Sequence, residues 1–180
     1  MSWLITVGWL LVILTVLVLT CSFLRKSFKI RKWKKSLNLH SHYPIFEQLY
    51  SGVDGFKLSK EARSWPDAID YTYGEIEFYP FIALLSMIGP HQNMIFYDLG
   101  SGVGKAVIAC AMVYPMEKYV GIELIDSLHQ SAHFQKEQLK LNPSYQTNVA
   151  KVDFILGDFL QTDIQDATCI FVNSTTIFGE

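Results

Sequence analysis

From Trp3 to Leu24 the chain has no charged residue. Cysteine is scarce throughout, with Cys21, Cys110 and Cys169 in 180 residues. So few thiols build no disulfide framework, which excludes a stapled secreted scaffold and agrees with a reduced compartment. Cys110 and Cys169 lie inside apolar runs, as small core residues do, and Cys21 sits at the inner end of the uncharged run, where S-acylation is open to it. There is no internal repeat and no low-complexity tract. Beyond the segment that ends at Lys35 there is no second basic stripe, which argues against direct nucleic-acid binding. Zinc-type spacing is lacking too. His129 and His133 stand at i, i+4 with Glu137 one turn on, but no fourth ligand accompanies them, so a polar helix face is the favoured reading and no metal is expected.

What is present begins with that uncharged run. About 20 apolar residues suffice to cross a bilayer as a helix. Arg25, Lys26, Lys29, Arg31, Lys32, Lys34 and Lys35 follow at once. The positive-inside bias then puts the N-terminus outside and the rest in the cytoplasm. A cleaved signal peptide is the competing reading, but no basic region precedes the run and no small-residue cleavage site follows it. Residues 1–24 are therefore expected to form a transmembrane anchor. The basic residues are expected to meet anionic lipid headgroups, with a nucleic-acid-binding arm as the competing use. Residues 25–70 read as a basic juxtamembrane segment and linker with a short docking stretch. The formal charge is −2 and its positive part is concentrated here, so the remainder is acidic. That remainder, residues 71–180, is one small domain's worth of chain.

From Tyr71 the pattern sharpens. A helix is predicted from Tyr73-Gly74-Glu75 through Ile88, stopped by Gly89-Pro90. Strands are predicted at Ile95–Leu99, Tyr119–Glu123, Val152–Leu156 and Thr168–Asn173, with helices at Lys105–Tyr114 and Ser127–Leu141. Strands alternating with helices predict an α/β, doubly wound, Rossmann-like parallel sheet with helices on both faces. In such sheets ligands lie beyond the carboxyl ends of the strands, where Asp98, Glu123, Asp158 and Asn173 all fall.

The stretch Asp98-Leu99-Gly100-Ser101-Gly102-Val103-Gly104 joins the first strand to its helix. Its spacing is Gly-x-Gly-x-Gly, not the Gly-x-Gly-x-x-Gly of dinucleotide sites, and the acid before it would repel a pyrophosphate. Both facts disfavour a nicotinamide-dependent oxidoreductase. The combination resembles motif I of the class I S-adenosyl-L-methionine-dependent methyltransferases. Glu123, 19 residues after Gly104, can accept both hydroxyls of an adenosyl ribose. Asp158 can accept from the adenine amine while Phe159 packs on the ring, an ordinary turn aspartate being the alternative. Asn173 can orient an amine nucleophile without ionising, against the alternative of a turn or cap asparagine. No strong general base stands out, and methyl transfer from an activated sulfonium asks mainly for alignment and exclusion of water.

Together these residues resemble one family, the non-SET histone-lysine methyltransferases of the disruptor-of-telomeric-silencing (Dot-one) type. The resemblance rests on Tyr73-Gly74-Glu75, the glycine loop, Gly121-Ile122-Glu123, Gly157-Asp158-Phe159-Leu160, and Ile170-Phe171-Val172-Asn173 with Phe178-Gly179. It implies that Tyr73 and Glu75 belong to a loop closing over the cofactor. It implies that Asp98, Gly100, Gly102, Gly104 and Glu123 hold S-adenosyl-L-methionine, that Asp158 and Phe159 hold adenine, and that Asn173 positions the lysine amine of a protein substrate. Ser174 departs from the family's second asparagine. The family's fold continues with a further helix and three strands, so the domain ending at Glu180 is expected to be incomplete. The membrane anchor is foreign to the nuclear enzymes and looks more like membrane-bound lysine methyltransferases acting on small membrane proteins. The expected function is thus a membrane-anchored protein-lysine methyltransferase. A small-molecule or lipid methyltransferase on the same fold, or an inactive cofactor-binding or interaction domain, are the alternatives.

Overall fold

The computed structural model describes residues 2–62 and 74–173. The chain divides into two compact units, residues 1–41 and 42–180. The first is dominated by α1, Ser2–Ser36. It is long and apolar enough to cross a membrane by length and composition. The end expected for the anchor at residue 24 is no break in the helix: the basic residues continue it. Lys34 and Lys35 fall in the last turn, where positive charge complements the helix dipole.

The second unit is built on helices where a linker was expected. Helix α2 spans Leu39–Tyr50, its residues from His42 onward lying in this unit, and α3 spans Gly55–Ala62. The mixed composition of this stretch, with Pro44 inside α2, hid the helical pattern. Residues 74–77 form a short non-helical strap before α4, Phe78–Ile88, with Glu77 in extended backbone. The strap is not the helix start expected there. Helix α4 ends at Gly89, whose φ of 67° is the left-handed cap that glycine adopts without penalty.

Strands β1 (Ile95–Leu99), β2 (Lys118–Glu123), β3 (Val152–Leu156) and β4 (Cys169–Val172) alternate with α5 (Lys105–Val113), α6 (Asp126–Lys140) and the single turn α7 (Gln146–Val149). All pairings are parallel and the order is β3-β2-β1-β4. The chain leaves β1 for β2 on one side and returns to β4 on the other. This reversal puts the crevice of an open α/β sheet at the carboxyl end of β1. Strands β1 and β2 are buried along most of their length, as central parallel strands must be.

Expectation and structure differ on the winding. Phe96 packs on Phe81 of α4, and Phe154 packs on His133 of α6. Helix α5, with Ala106 to Met112 all buried, fills the space between. These helices share one face. The other face, carrying Tyr97, Val120 and Ile122, is covered among the described residues by Phe159, Ile164 and Ala167 of the β3–β4 connection, with no helix. A clamp fixes that connection: the Tyr97 hydroxyl donates to Asp166 at 2.7 Å, and Lys118 pairs with the same carboxylate at 3.3 Å.

Gly104 marks the tightest packing. Its φ is +82°, and a Cβ there would stand 2.6 Å from Phe154 and 3.0 Å from Ala132. Both backbone and space demand glycine. Gly104→Ala is expected to destabilise the full chain by about 2–4 kcal/mol through a left-handed backbone and an overpacked contact. Chemical denaturation checks it, and Phe154→Leu in the same chain should recover the part due to the contact.

Candidate functional site

The glycine loop folds back onto the end of β2. The amides of Gly100 and Ser101 both donate to the Ile122 carbonyl at 2.9 Å, and Gly104 N–H closes the turn onto Ser101 O at 2.8 Å. Gly100, Gly102 and Gly104 all take positive φ, as the spacing implies. The Glu123 carboxylate, buried at the end of β2, accepts from Gly102 N at 2.7 Å and from Ile125 N at 2.8 Å. Sequence reasoning took Glu123 for a ligand acceptor. The structure adds that it fixes the loop, accepting from backbone amides and keeping acceptor capacity for a ligand hydroxyl.

Asp98, at the end of β1, is buried, and its carboxyl is pushed up to about 8 by burial first and by Glu123 second. Burial likewise raises Glu123, against three backbone amides that lower it. Two carboxyls sharing one dry site cannot both ionise cheaply, and a cation beside them favours the charged form. The Ser101 hydroxyl is buried here with no hydrogen-bond partner among the described residues.

The strap is tied at two points. The Asn173 amide donates to the Gly74 carbonyl at 3.2 Å, joining the end of β4 to the strap. Glu75 forms an ion pair with Lys105, the first residue of α5. Lys105 also lies over the Tyr50 ring at 5.5 Å, and the Tyr50 hydroxyl donates to Val103 O at 3.2 Å. Burial, then Glu75 and Asp98, push the Tyr50 hydroxyl well up. Sequence reasoning missed both residues. Lys105 carried a signal, the lone charge heading the apolar helix KAVIACAMV. Tyr50 carried none, because its helix was read as linker.

Gly157 N–H donates to the Glu123 carbonyl at 2.9 Å, which sets Asp158 and Phe159 beside β2. Asp158 accepts from Leu160 N at 2.8 Å and Gln161 Nε2 at 3.1 Å, so it caps its own turn. Phe159 packs against the second sheet face. Tyr73, Ser174, Phe178 and Gly179 lie outside the described residues. The rings of His129 and His133 are 4.6 Å apart, and His133 Nε2 lies 3.3 Å from the Phe154 carbonyl. A concavity of about 1110 Å³ lies between α2, α3 and α6 and holds none of the predicted site residues.

The sequence model of the family described as Histone methylation protein DOT1 matches residues 56–180. The chain belongs to the DOT1 family. It is similar to the H3 lysine-79-specific histone-lysine N-methyltransferase of Caenorhabditis elegans, 33% identical over 57% of this chain and 12% of that protein. To the enzyme of the same name from Kluyveromyces lactis it is 28% identical over 54% of this chain and 17% of that one. A Protein-lysine N-methyltransferase of Saccharolobus islandicus is 28% identical over 48% of this chain and 50% of its own length. The chain thus spans half or less of each. Among solved structures, an RNA methyltransferase from Salinibacter ruber in complex with S-adenosyl-L-homocysteine has a TM-score of 0.45 at 26% identity, covering 55% of this chain and 60% of that one.

The DOT1 match makes S-adenosyl-L-methionine the cofactor, and the residues present fit it. Acids at the ends of β1 and β2 suit a ligand with vicinal hydroxyls and positive charge, and the loop brings backbone rather than side chains to the helix start. The raised carboxyl of Asp98 gives a measurable sign. The folded chain keeps a proton on Asp98 where the unfolded chain, near 3.8, has lost it. The cofactor-free protein should therefore lose stability as pH rises from about 4 to about 8 and level off above. Asp98→Asn should flatten that slope, leaving the smaller same-signed part due to Glu123, as denaturation across the pH range will read.

Proposed function

We propose that this chain is a membrane-anchored, S-adenosyl-L-methionine-dependent protein-lysine N-methyltransferase, with its N-terminus outside and the catalytic unit at the cytoplasmic face. The observation that carries the reading is the bond from Asn173 to Gly74 at 3.2 Å, which joins the end of β4 to the strap bearing Glu75 in a chain of the DOT1 family. When bound, the cofactor supplies a methyl group already activated on sulfur. Asp98 and Glu123 would answer its hydroxyls and positive charge, Asp158 and Phe159 its adenine, and Glu75 of the strap would cover it. Asn173 Nδ2 is committed to Gly74, so Oδ1 is left to accept from the lysine amine and point its lone pair at the methyl group. An amide serves a neutral amine without itself ionising, and the surplus proton of the methylated amine leaves to solvent. Helix α1 supplies the anchor, and its basic end supplies contact with anionic headgroups.

The activity is tested by radiolabelled methyl transfer from the anchored full chain to histones and to a membrane-protein extract. Lysine methylation is expected. Asn173→Ala should slow turnover by at least about tenfold while leaving cofactor affinity largely intact, because the lost contact serves alignment. No labelled lysine with either substrate set would overturn the reading, and equal turnover by the variant would remove Asn173 from it.

The topology is tested separately with protease added to intact cells. The unit after α1 should stay whole until the membrane is permeabilised. Its digestion from outside would reverse the orientation.

A further inference from the structure

A second concavity, about 280 Å³, opens between α2, the strap and α4. Its walls are aromatic. Tyr43 and Tyr79 face each other with ring centroids 4.6 Å apart, and Phe46 and Phe78 meet at 4.9 Å, both buried. Three carboxylates line it, Glu47, Glu75 and Glu77, against one ammonium among the described residues, Lys105, which is already paired with Glu75. Glu47 and Glu77 stand exposed at the rim. From His42 onward the sequence holds 17 acidic and 8 basic residues, so the surrounding unit is itself net acidic.

We propose that this cavity docks a basic side chain of the protein substrate, close in sequence to the lysine that is methylated. The inference rests on the methyltransferase reading above. Aromatic faces with carboxylates at the rim attract an organic cation both electrostatically and through the ring quadrupoles. The charge is complementary to a lysine-bearing basic segment and to no acidic or neutral one. The position fits as well. Glu77 follows Gly74 by three residues of the strap, a span of at most about 10 Å, and Gly74 is the residue bonded to Asn173. A substrate whose target amine reaches Asn173 therefore passes this rim within a few residues. A guanidinium suits the paired rings best, since its plane stacks and its N–H groups reach both rim carboxylates.

The test separates docking from catalysis. Two synthetic peptides carry norleucine in place of the target lysine. One has arginine three residues away, and the other has citrulline there. Anisotropy with the full chain in nanodiscs, at low salt, should show the arginine peptide binding on the order of tenfold more tightly. Glu47→Gln with Glu77→Gln should erase that difference while S-adenosyl-L-homocysteine affinity stays unchanged, and Tyr43→Leu should weaken it alone. With lysine restored, the double variant should raise KM for the arginine peptide and leave kcat unaltered. Equal binding of the two peptides, or a preference that survives the double variant, would overturn the proposal. So would displacement of both peptides alike by choline, which would assign the cavity to a lipid headgroup. If the preference holds and depends on Glu47 and Glu77 while no lysine is ever methylated, docking stands and the methyltransferase reading falls.

Discussion

One oxygen of Glu123 accepts from the Gly102 amide and the other from the Ile125 amide, so a single buried carboxylate fixes the glycine loop, the end of β2 and the start of α6. The position suits a negative charge, because Ile125 caps α6 and its amide donates to this carboxylate at the positive end of the helix. Beside it, burial and the Glu123 charge push the Asp98 carboxyl up to about 8. The site thus keeps one carboxylate committed to architecture and a second one that is uncomfortable when ionised. A positively charged ligand relieves the second without disturbing the first.

The strands and principal helices were legible because burial imposes a period on them. β1 and β3 fall where the apolar runs predict, and α6 shows Leu128, Ala132, Gln135 and Leu139 buried along one face. Strand-end acids were legible for the same reason, since the end of an apolar run is a defined place. What stayed hidden depends on contacts far apart in the chain. Tyr50 meets the loop only through a helix whose own composition is ambiguous, and Asn173 meets Gly74 across 99 positions. The double winding was inferred from alternation alone, which does not say that the β3–β4 connection is made of turns.

Net charge changes sign along the chain. No acidic residue precedes Glu47, and the seven basic residues after Leu24 all sit on α1. The acidic majority of the second unit leaves it a poor ligand for an anionic surface. The two halves of the sequence therefore carry net charge of opposite sign, and the formal charge near zero conceals both.

The strap is held from opposite directions in the chain: Glu75 by Lys105 at the head of α5, and Gly74 by Asn173 at the tail of β4. During synthesis the first tether becomes available once the glycine loop has emerged, but the second waits until every other described strand has left the ribosome. Local contacts form early and distant ones late. The tether to Glu75 thus needs the chain only as far as Lys105, whereas the tether to Gly74 needs it as far as Asn173, so the strap is held at one point before it is held at two.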